Sequence, residues 1–437
     1  MEIFGTSFFG FLSIVVAFSL VIFIHEFGHF YVGKKCGIGV KEFSIGFGPR
    51  IFSFRDRTGV IWKLSLLPLG GFVKFEGDSD PSSMTKSNIQ ENVSSMQFNN
   101  APIWARFLTI LAGPLANIVF SVVVFSILVF LTGVANDKPV IGKVDTLPFQ
   151  NLDIKEGDTV LAMNQIPVKS FSDIISIYGE VGDERELEIK IKRGSETLLV
   201  ETQNLFQPIV KDIEILSPSS RAGIMIGDLI LKVNGTRIFE FSELKQFVQE
   251  SSGQPLLLDI LRNGIEIQKS LIPENRPIEN ANGQLEETLR IGIVGGFALE
   301  PERISPDILT SLKLGLITTW RVVSGSIKGL IEMVKGSISA KHLTGPIGIA
   351  HAITDVSKNG FIPFFSLVAL ISTGIAVINL FPLPVLDGGH LLLLAYEKLI
   401  GTAPSEVFMR VFMVFGLALI LSLMLFATYN DLLRIIL

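Results

Sequence analysis

Val21-Ile22-Phe23-Ile24-His25-Glu26-Phe27-Gly28-His29-Phe30 reads H-E-x-x-H, inside an apolar run that starts at Phe8. On a helix, residues four apart share a face, so His25 and His29 point the same way. Two imidazoles at that spacing suit one zinc ion, and Glu26 beside the first can take a proton from a water. A soluble zinc-protease helix would carry a polar outer face, and this one has none. Ionisable side chains in a stretch bound for hydrocarbon mark a functional site by default. The competing reading, two core histidines and an incidental glutamate, leaves their cost in hydrocarbon without a purpose.

The surrounding composition agrees with a membrane setting. Of 437 residues, 48% are hydrophobic and 18% charged, with net charge −5 and mean hydropathy +0.50. That balance gives no case for nucleic-acid binding. Cys36 is the single cysteine, so no intrachain disulfide forms; it reads as a thiol at a membrane edge rather than a ligand.

Residues 1–33 predict a first transmembrane helix carrying the motif. Its apolar region is too long for a signal peptide, and neither a basic leader nor a small-residue cleavage site flanks it. His25 precedes Lys34 by about nine residues, ~13 Å along a helix, which puts the motif inside the membrane near the lysine-bearing end. In residues 34–100, Gly and Pro separate four short runs, Phe43–Phe47, Arg50–Phe54, Val60–Leu66 and Gly71–Phe75, which predict β-hairpins; a polar loop from Asp78 to Asn100 follows. Lys34, Lys35, Lys41, Arg50, Arg55, Arg57, Lys63 and Lys74 make this a cytoplasmic segment by the positive-inside rule. Residues 101–136 hold a second span, with its core at about Phe107 to Leu131. Pro114 predicts an early break there, Gly113 and Ala116 let another helix come close, and Asn117 needs a partner.

The chain then turns soluble and repeats itself. Lys155-Glu156-Gly157-Asp158 aligns with Met225-Ile226-Gly227-Asp228 at an offset of 70, and the offset persists from Pro148/Pro218 to Arg193-Gly194/Asn263-Gly264. The copies span 137–204 and 205–293. Each resembles a PDZ domain, the second more closely through Ser217-Pro218-Ser219-Ser220-Arg221-Ala222-Gly223 than the first through Leu147 to Asp153. The resemblance implies capture of an extended peptide; a pair of domains acting as a steric gate fits equally. Residues 294–360 contain an amphipathic stretch, Pro306 to about Ser339, expected to lie on the bilayer surface, and a connector. A third span is expected at 361–381, a loop at 382–407, and a fourth span with a tail at 408–437.

The loop opens with the second informative string, Asn379-Leu380-Phe381-Pro382-Leu383-Pro384-Val385-Leu386-Asp387-Gly388-Gly389-His390. Pro382 and Pro384 end the helix and free carbonyls. Asp387 at membrane depth needs a counter-charge. Zn²⁺ with neutral His25 and His29 and ionised Asp387 and Glu26 sums to zero, which suits a low dielectric. Asp387 also reads as an N-cap or Asx turn, and His390 is a competing third ligand. Four spans leave both catalytic strings ending on the cytoplasmic side, where they can meet.

Taken together, H-E-F-G-H in the first span, Gly-Pro-Leu-Ala-Asn in the second, two PDZ-like copies and N-L-F-P-L-P-V-L-D-G-G-H resemble the bacterial site-2 protease family, of the type that regulates sigma-E, over nearly the whole chain. The resemblance implies a polytopic α-helical membrane protein with four transmembrane helices, a membrane-associated β-hairpin region and two inserted α+β PDZ-like domains. It places zinc on His25, His29 and Asp387, acid–base catalysis on Glu26, and substrate handling on Asn379; the carbonyls freed by Pro382 and Pro384 are expected to hold substrate from the same side. Within Val60–Phe75 it implies an edge strand that holds substrate. It further implies an inner-membrane intramembrane endopeptidase with extracytoplasmic PDZ domains, cleaving single-span proteins such as anti-sigma factors and remnant signal peptides during a stress response. A membrane-anchored PDZ scaffold without activity and a metal transporter are the rival classes. The first predicts no bound zinc; the second needs more than one ligand cluster.

Overall fold

The computed structural model describes residues 2–77, 96–145, 152–181, 187–202, 205–280 and 283–436. They form two compact units, one of residues 1–128, 309–331 and 340–437, the other of residues 129–308 and 332–339. The expected loop at 78–95 and the segment 147–151 of the first PDZ-like string lie outside the described residues.

In the first unit, helix α1 (Glu2–Lys35) ends on Lys34 and Lys35, whose charge suits a helix C-terminus. Gly37, at φ +81°, donates its N–H to the Lys34 carbonyl while Ile38 donates to Gly33. This Schellman stop leaves Cys36 as the last half-helical residue, packed with Ile38 and Phe75 and away from the histidines.

Strands β1 (Val40–Arg55) and β2 (Ile61–Phe75) follow. Each bends midway, β1 at Gly46 with φ +86° and β2 at Gly70 with φ +150°. Residues 42–45 pair with 71–74 on one side and 61–64 on the other, and residues 50–55 pair back onto 61–65. The two strands thus fold into four rungs in the order 71–75, 40–45, 61–65, 50–55, so within the Val60–Phe75 stretch only its second half is an edge. At the turn, the Asp56 carboxylate accepts from Thr58 N, Thr58 Oγ1, Val60 N and Trp62 Nε1. Burial alone would raise its pKa, but those four donors outweigh it and hold it at about 2. Phe47, Ile51, Phe52, Leu66 and Leu67 stay exposed, a surface that suits lipid.

Helix α2 (Ile103–Thr132) runs unbroken through Pro114, contrary to the early break expected from sequence. A proline forfeits one hydrogen bond, and a helix in hydrocarbon has no water to offer its backbone an alternative, so it continues.

The second unit opens with β3 (Val134–Ala135), β4 (Ile141–Val144), β5 (Thr159–Met163), β6 (Ile166–Pro167), α3 (Phe171–Val181), β7 (Leu187–Arg193) and β8 (Glu196–Thr202). It continues with β9 (Val210–Ile213), α4 (Pro218–Arg221), β10 (Leu229–Val233), β11 (Thr236–Arg237), α5 (Phe241–Glu250), β12 (Leu256–Arg262) and β13 (Ile265–Leu271). Then come β14 (Glu274–Glu279), β15 (Leu285–Arg290), β16 (Ile293–Gly295), β17 (Leu299–Pro301) and β18 (Arg303–Ile304).

The duplication is visible in the sheets, ordered β6-β5-β7-β8 and β11-β10-β12-β13. Both copies bury an aspartate under an arginine fork, Asp158 with Arg193 and Asp228 with Arg262. Asp158 is held below the usual carboxylate range, because the Arg193 hydrogen bonds outweigh burial. The aspartates correspond at an offset of 70 and the arginines at 69, so the second copy drops one residue between its helix and β12. The β-turn alignment of Arg193-Gly194 with Asn263-Gly264 therefore slips by one in the fold. Strand β9 pairs with β16, whereas β4 pairs with β17, which comes after the second copy has ended. The first copy's sheet system thus closes around the second, and Phe297, Ala298 and Leu299 enter its core.

Back in the first unit, α6 (Ile308–Lys335) buries Ser311, Gly315 and Thr319, spaced by four, and exposes Leu309, Leu312, Leu316, Trp320 and Ile327. A Cβ on Gly315 would stand 2.1 Å from Ser126 Oγ of α2, so small residues seat this helix on α2 and leave its apolar side for lipid. Next come α7 (Pro346–Ser357), α8 (Phe361–Asn379), α9 (Asp387–Ile400) and α10 (Glu406–Ile436). Ser121 Oγ of α2 donates to the Ala369 carbonyl, and Ser372 Oγ of α8 donates to the Asn117 carbonyl, tying α2 to α8. Among the described residues four helices are long and apolar enough to cross a membrane, Phe8–Lys35, Ile103–Thr132, Phe361–Asn379 and Glu406–Arg434.

Candidate metal centre

His25 and His29 project from one face of α1 and are each 8% exposed. Helix α2 lies against that face because nothing bulky separates them. A Cβ on Gly28 would sit 2.3 Å from the Ala112 carbonyl oxygen, and one on Gly113 would sit 2.2 Å from His29 Nε2. Small residues are how helices approach this closely in lipid.

The approach fixes both imidazoles. His29 Nδ1 lies 2.9 Å from the Thr109 carbonyl oxygen, which can only accept, so Nδ1 carries the proton and Nε2 of the neutral ring is bare. His25 Nδ1 lies 3.4 Å from Asn117 Nδ2, while Asn117 Oδ1 is buried without a partner. Amide oxygen and nitrogen are interchangeable in shape. Turning the Asn117 amide over lets Oδ1 accept from His25 Nδ1, the protonation that leaves His25 Nε2 bare. Both Nε2 atoms then present lone pairs, 3.2 Å apart.

Asp387 completes the convergence. Its Oδ2 lies 3.1 Å from His25 Nε2 and its Oδ1 3.5 Å from His29 Nε2, and one ligand atom from each of the three residues falls within 4.8 Å of the others. Although Oδ2 is within ion-pair distance of His25, it has no hydrogen-bond partner. With both imidazole protons spent on Thr109 and Asn117, three electron-rich atoms face each other with no proton between them. That donor set fits a divalent cation, and two imidazoles with a carboxylate and an open position are what zinc takes in catalytic sites.

The local chain explains the aspartate's placement. Leu386, not Asp387, is the N-cap of α9, so the carboxylate is free of capping duty. Gly388 and Gly389 pack on the carbonyls of Leu380, Phe381 and Leu383, with no room for a Cβ. Val385 is held at φ +77°, a left-handed conformation costly for a β-branched residue. Asn379, the last residue of α8, sets its Nδ2 3.3 Å from His25 Nε2. Glu26 lies beside β2: a Cβ on Gly71 would stand 2.9 Å from Glu26 Cγ, so the edge rung 71–75 runs past that carboxylate.

Not every sequence candidate joins. His390 and Cys36 are outside the cluster. Pro384 is buried against Gly416 of α10, where its ring serves packing, and Pro382 is exposed. The Thr109 carbonyl was not foreseen, because any residue supplies one. Asn117 was flagged as needing a partner, but which one was not legible.

Comparison with known proteins agrees in extent. The model of peptidase family M50 matches residues 13–423. The chain is 30% identical to the regulator of sigma-E protease RseP of Salmonella typhimurium, covering 97% of this chain and 98% of the relative, and likewise to that of Escherichia coli. A relative in Mesorhizobium japonicum that carries a zinc metalloprotease name is 30% identical, over 97% of this chain and 99% of its own.

Proposed function

Because the chain belongs to peptidase family M50, we propose that His25, His29 and Asp387 hold its zinc and that Glu26 moves the proton in peptide-bond hydrolysis within the membrane. The enzyme is a zinc metalloendopeptidase. The carrying observation is the Asp387 carboxylate set against the Nε2 atoms of His25 and His29, with its Oδ2 left without a hydrogen-bond partner. A dead scaffold has no use for that arrangement. When bound, zinc polarises the scissile carbonyl and lowers the pKa of water.

The residues divide the remaining work. Glu26 accepts a proton from the attacking water and delivers it to the leaving amide nitrogen. A helical substrate hides its peptide bonds, so it must unwind, and the outer rung of residues 71–75 can hold it extended by β-addition beside Glu26. Asn379 steadies the substrate from the other side, with carbonyls freed near Pro382. On this reading the substrates are single-span proteins of the bacterial inner membrane, anti-sigma factors and remnant signal peptides among them, in keeping with relatives named for sigma-E regulation.

The duplicated modules read as PDZ-like and extracytoplasmic, and we assign them a filter role against untrimmed substrates. In the second, a groove of about 540 Å³ between α5 and β15–β16, lined by Phe241, Leu244, Val248 and Ile293, could seat an extended peptide.

Metal analysis paired with cleavage of a single-span reporter tests the core assignment. Glu26→Gln is expected to keep one zinc per chain and lose cleavage by at least about 100-fold. Turnover at the wild-type rate would remove Glu26 from the mechanism.

A further inference from the structure

Helix α9 carries Asp387 on its first turn, and an ion pair holds its far end. Arg106 of α2 donates from Nη2 to Glu397 Oε1 at 2.6 Å and from Nη1 to Oε2 at 3.1 Å, while its Nε donates to the Ala101 carbonyl at 3.0 Å. The two side chains are only 13% and 20% exposed. A two-toothed pair of this kind fixes orientation as well as distance.

We infer that Arg106 and Glu397 are positioning residues, fixing the C-terminal end of α9 and thereby setting Asp387 against His25 and His29. The inference rests on the zinc reading above. At 3.6 residues per turn, Arg106, Gly113 and Asn117 lie within about 40° of one another around α2. The stripe that touches both histidines is therefore the stripe that grips α9, and ligands from two distant parts of the chain are measured from one helix. Glu397 lies about 15 Å along α9 from Asp387. The helix's other attachments are the 380–386 link and buried apolar residues such as Leu393 and Leu394, whose contacts are non-directional. Without the pair, a tilt of about 10° around the helix midpoint would carry Asp387 by about 1.3 Å, beyond the ~0.5 Å that a preorganised site tolerates. Against an uncharged pair of similar size, an ion pair this buried adds little net stability and is better suited to holding a register, although removing one partner alone leaves a costly lone charge.

The test uses the full chain in detergent or nanodiscs, with Arg106→Gln, Glu397→Gln, the swap Arg106→Glu with Glu397→Arg, and Asp387→Asn as the ligand control. Zinc affinity by chelator competition should fall about tenfold or more in each single variant, and the swap should recover most of it. Cobalt-loaded single variants should show a shifted ligand-field spectrum. Thermal unfolding is read on the metal-stripped swap and on a metal-stripped double variant, Arg106→Gln with Glu397→Gln, neither of which leaves a lone buried charge, and it should stay at the wild-type temperature. Single variants that hold zinc as tightly as wild type, or a swap as weak as they are, would overturn the inference. Melting that drops in the stripped double variant would assign the pair to plain stability and overturn it too. Wild type binding zinc no better than Asp387→Asn would instead remove the zinc reading beneath it.

Discussion

Gly113→Ala should cost the enzyme its metal while adding one methyl group. The new Cβ would stand 2.2 Å from His29 Nε2, against the 3.4 Å where ordinary contact begins. Either His29 or the α2 backbone must yield by about 1.2 Å. His29 cannot swing away cheaply, because its Nδ1 is anchored on the Thr109 carbonyl one turn earlier on the same helix. The helices cannot part cheaply either, because Gly28 rests on Ala112. A displacement of about 1 Å at a reacting centre costs roughly 100-fold in rate, or about 2.7 kcal/mol. Zinc retention through dialysis and reporter cleavage should therefore fall together. Gly374→Ala is the control: it lies in the spanning helix α8, a Cβ there meets nothing within 4 Å, and the variant should behave as wild type. If Gly113→Ala keeps full zinc and full cleavage, α2 does not abut the histidine as described, and the assignment of the imidazole protons loses its basis.

Two further outcomes follow from other parts of the fold. Asp56 is held at about 2, below its unfolded value of about 3.9, so its contribution is complete above the unfolded value and is lost as pH falls through about 2. In a chain whose other tryptophans are replaced by Phe, Trp62 emission should change with a midpoint near pH 2, and Asp56→Asn should abolish that transition; a midpoint near 4 would contradict it. Replacing residues 136–302 with a short linker should allow cleavage of an untrimmed substrate, since Ala135 and Arg303 are paired partners in β3 and β18. Continued resistance of that substrate, in a variant that still cleaves a trimmed one, would dispose of the filter.

What could be read in advance was local. The H-E-x-x-H spacing is a statement about one helix face, and of the two glycines that mark the bends Gly70 falls between two of the four runs while Gly46 lies within the first. What resisted reading was non-local. Whether 60–66 or 71–75 forms an edge depends on how β1 doubles back, and nothing in those residues announces it. Strand β17 joins the first repeat only because the chain returns after completing the second, so a boundary drawn from the repeat unit stops short of Leu299. Pro114 misled because its cost is set by the solvent, and its solvent is lipid. The proton on His29 is decided by a backbone carbonyl, which carries no sequence signal.

Lipid as solvent also governs how a substrate is opened. In hydrocarbon, each unsatisfied backbone group costs several kcal/mol, so a spanning helix does not fray to present a bond. Unwinding becomes accessible only where replacement partners are already in place. On the proposed mechanism the rung 71–75 offers them: it is an outer rung among the described strands, with its inner side paired to residues 40–45. Five residues of extended chain span about 17 Å, starting at Gly71 beside Glu26. Gly71, where this rung abuts the catalytic helix, has no side chain and leaves no room for one against Glu26 Cγ. On the proposed mechanism, the strand that would exchange hydrogen bonds with the substrate is therefore also the wall against Glu26. Unwinding and bond cleavage then share one surface, and a helix that does not pair along this edge is not presented to Glu26.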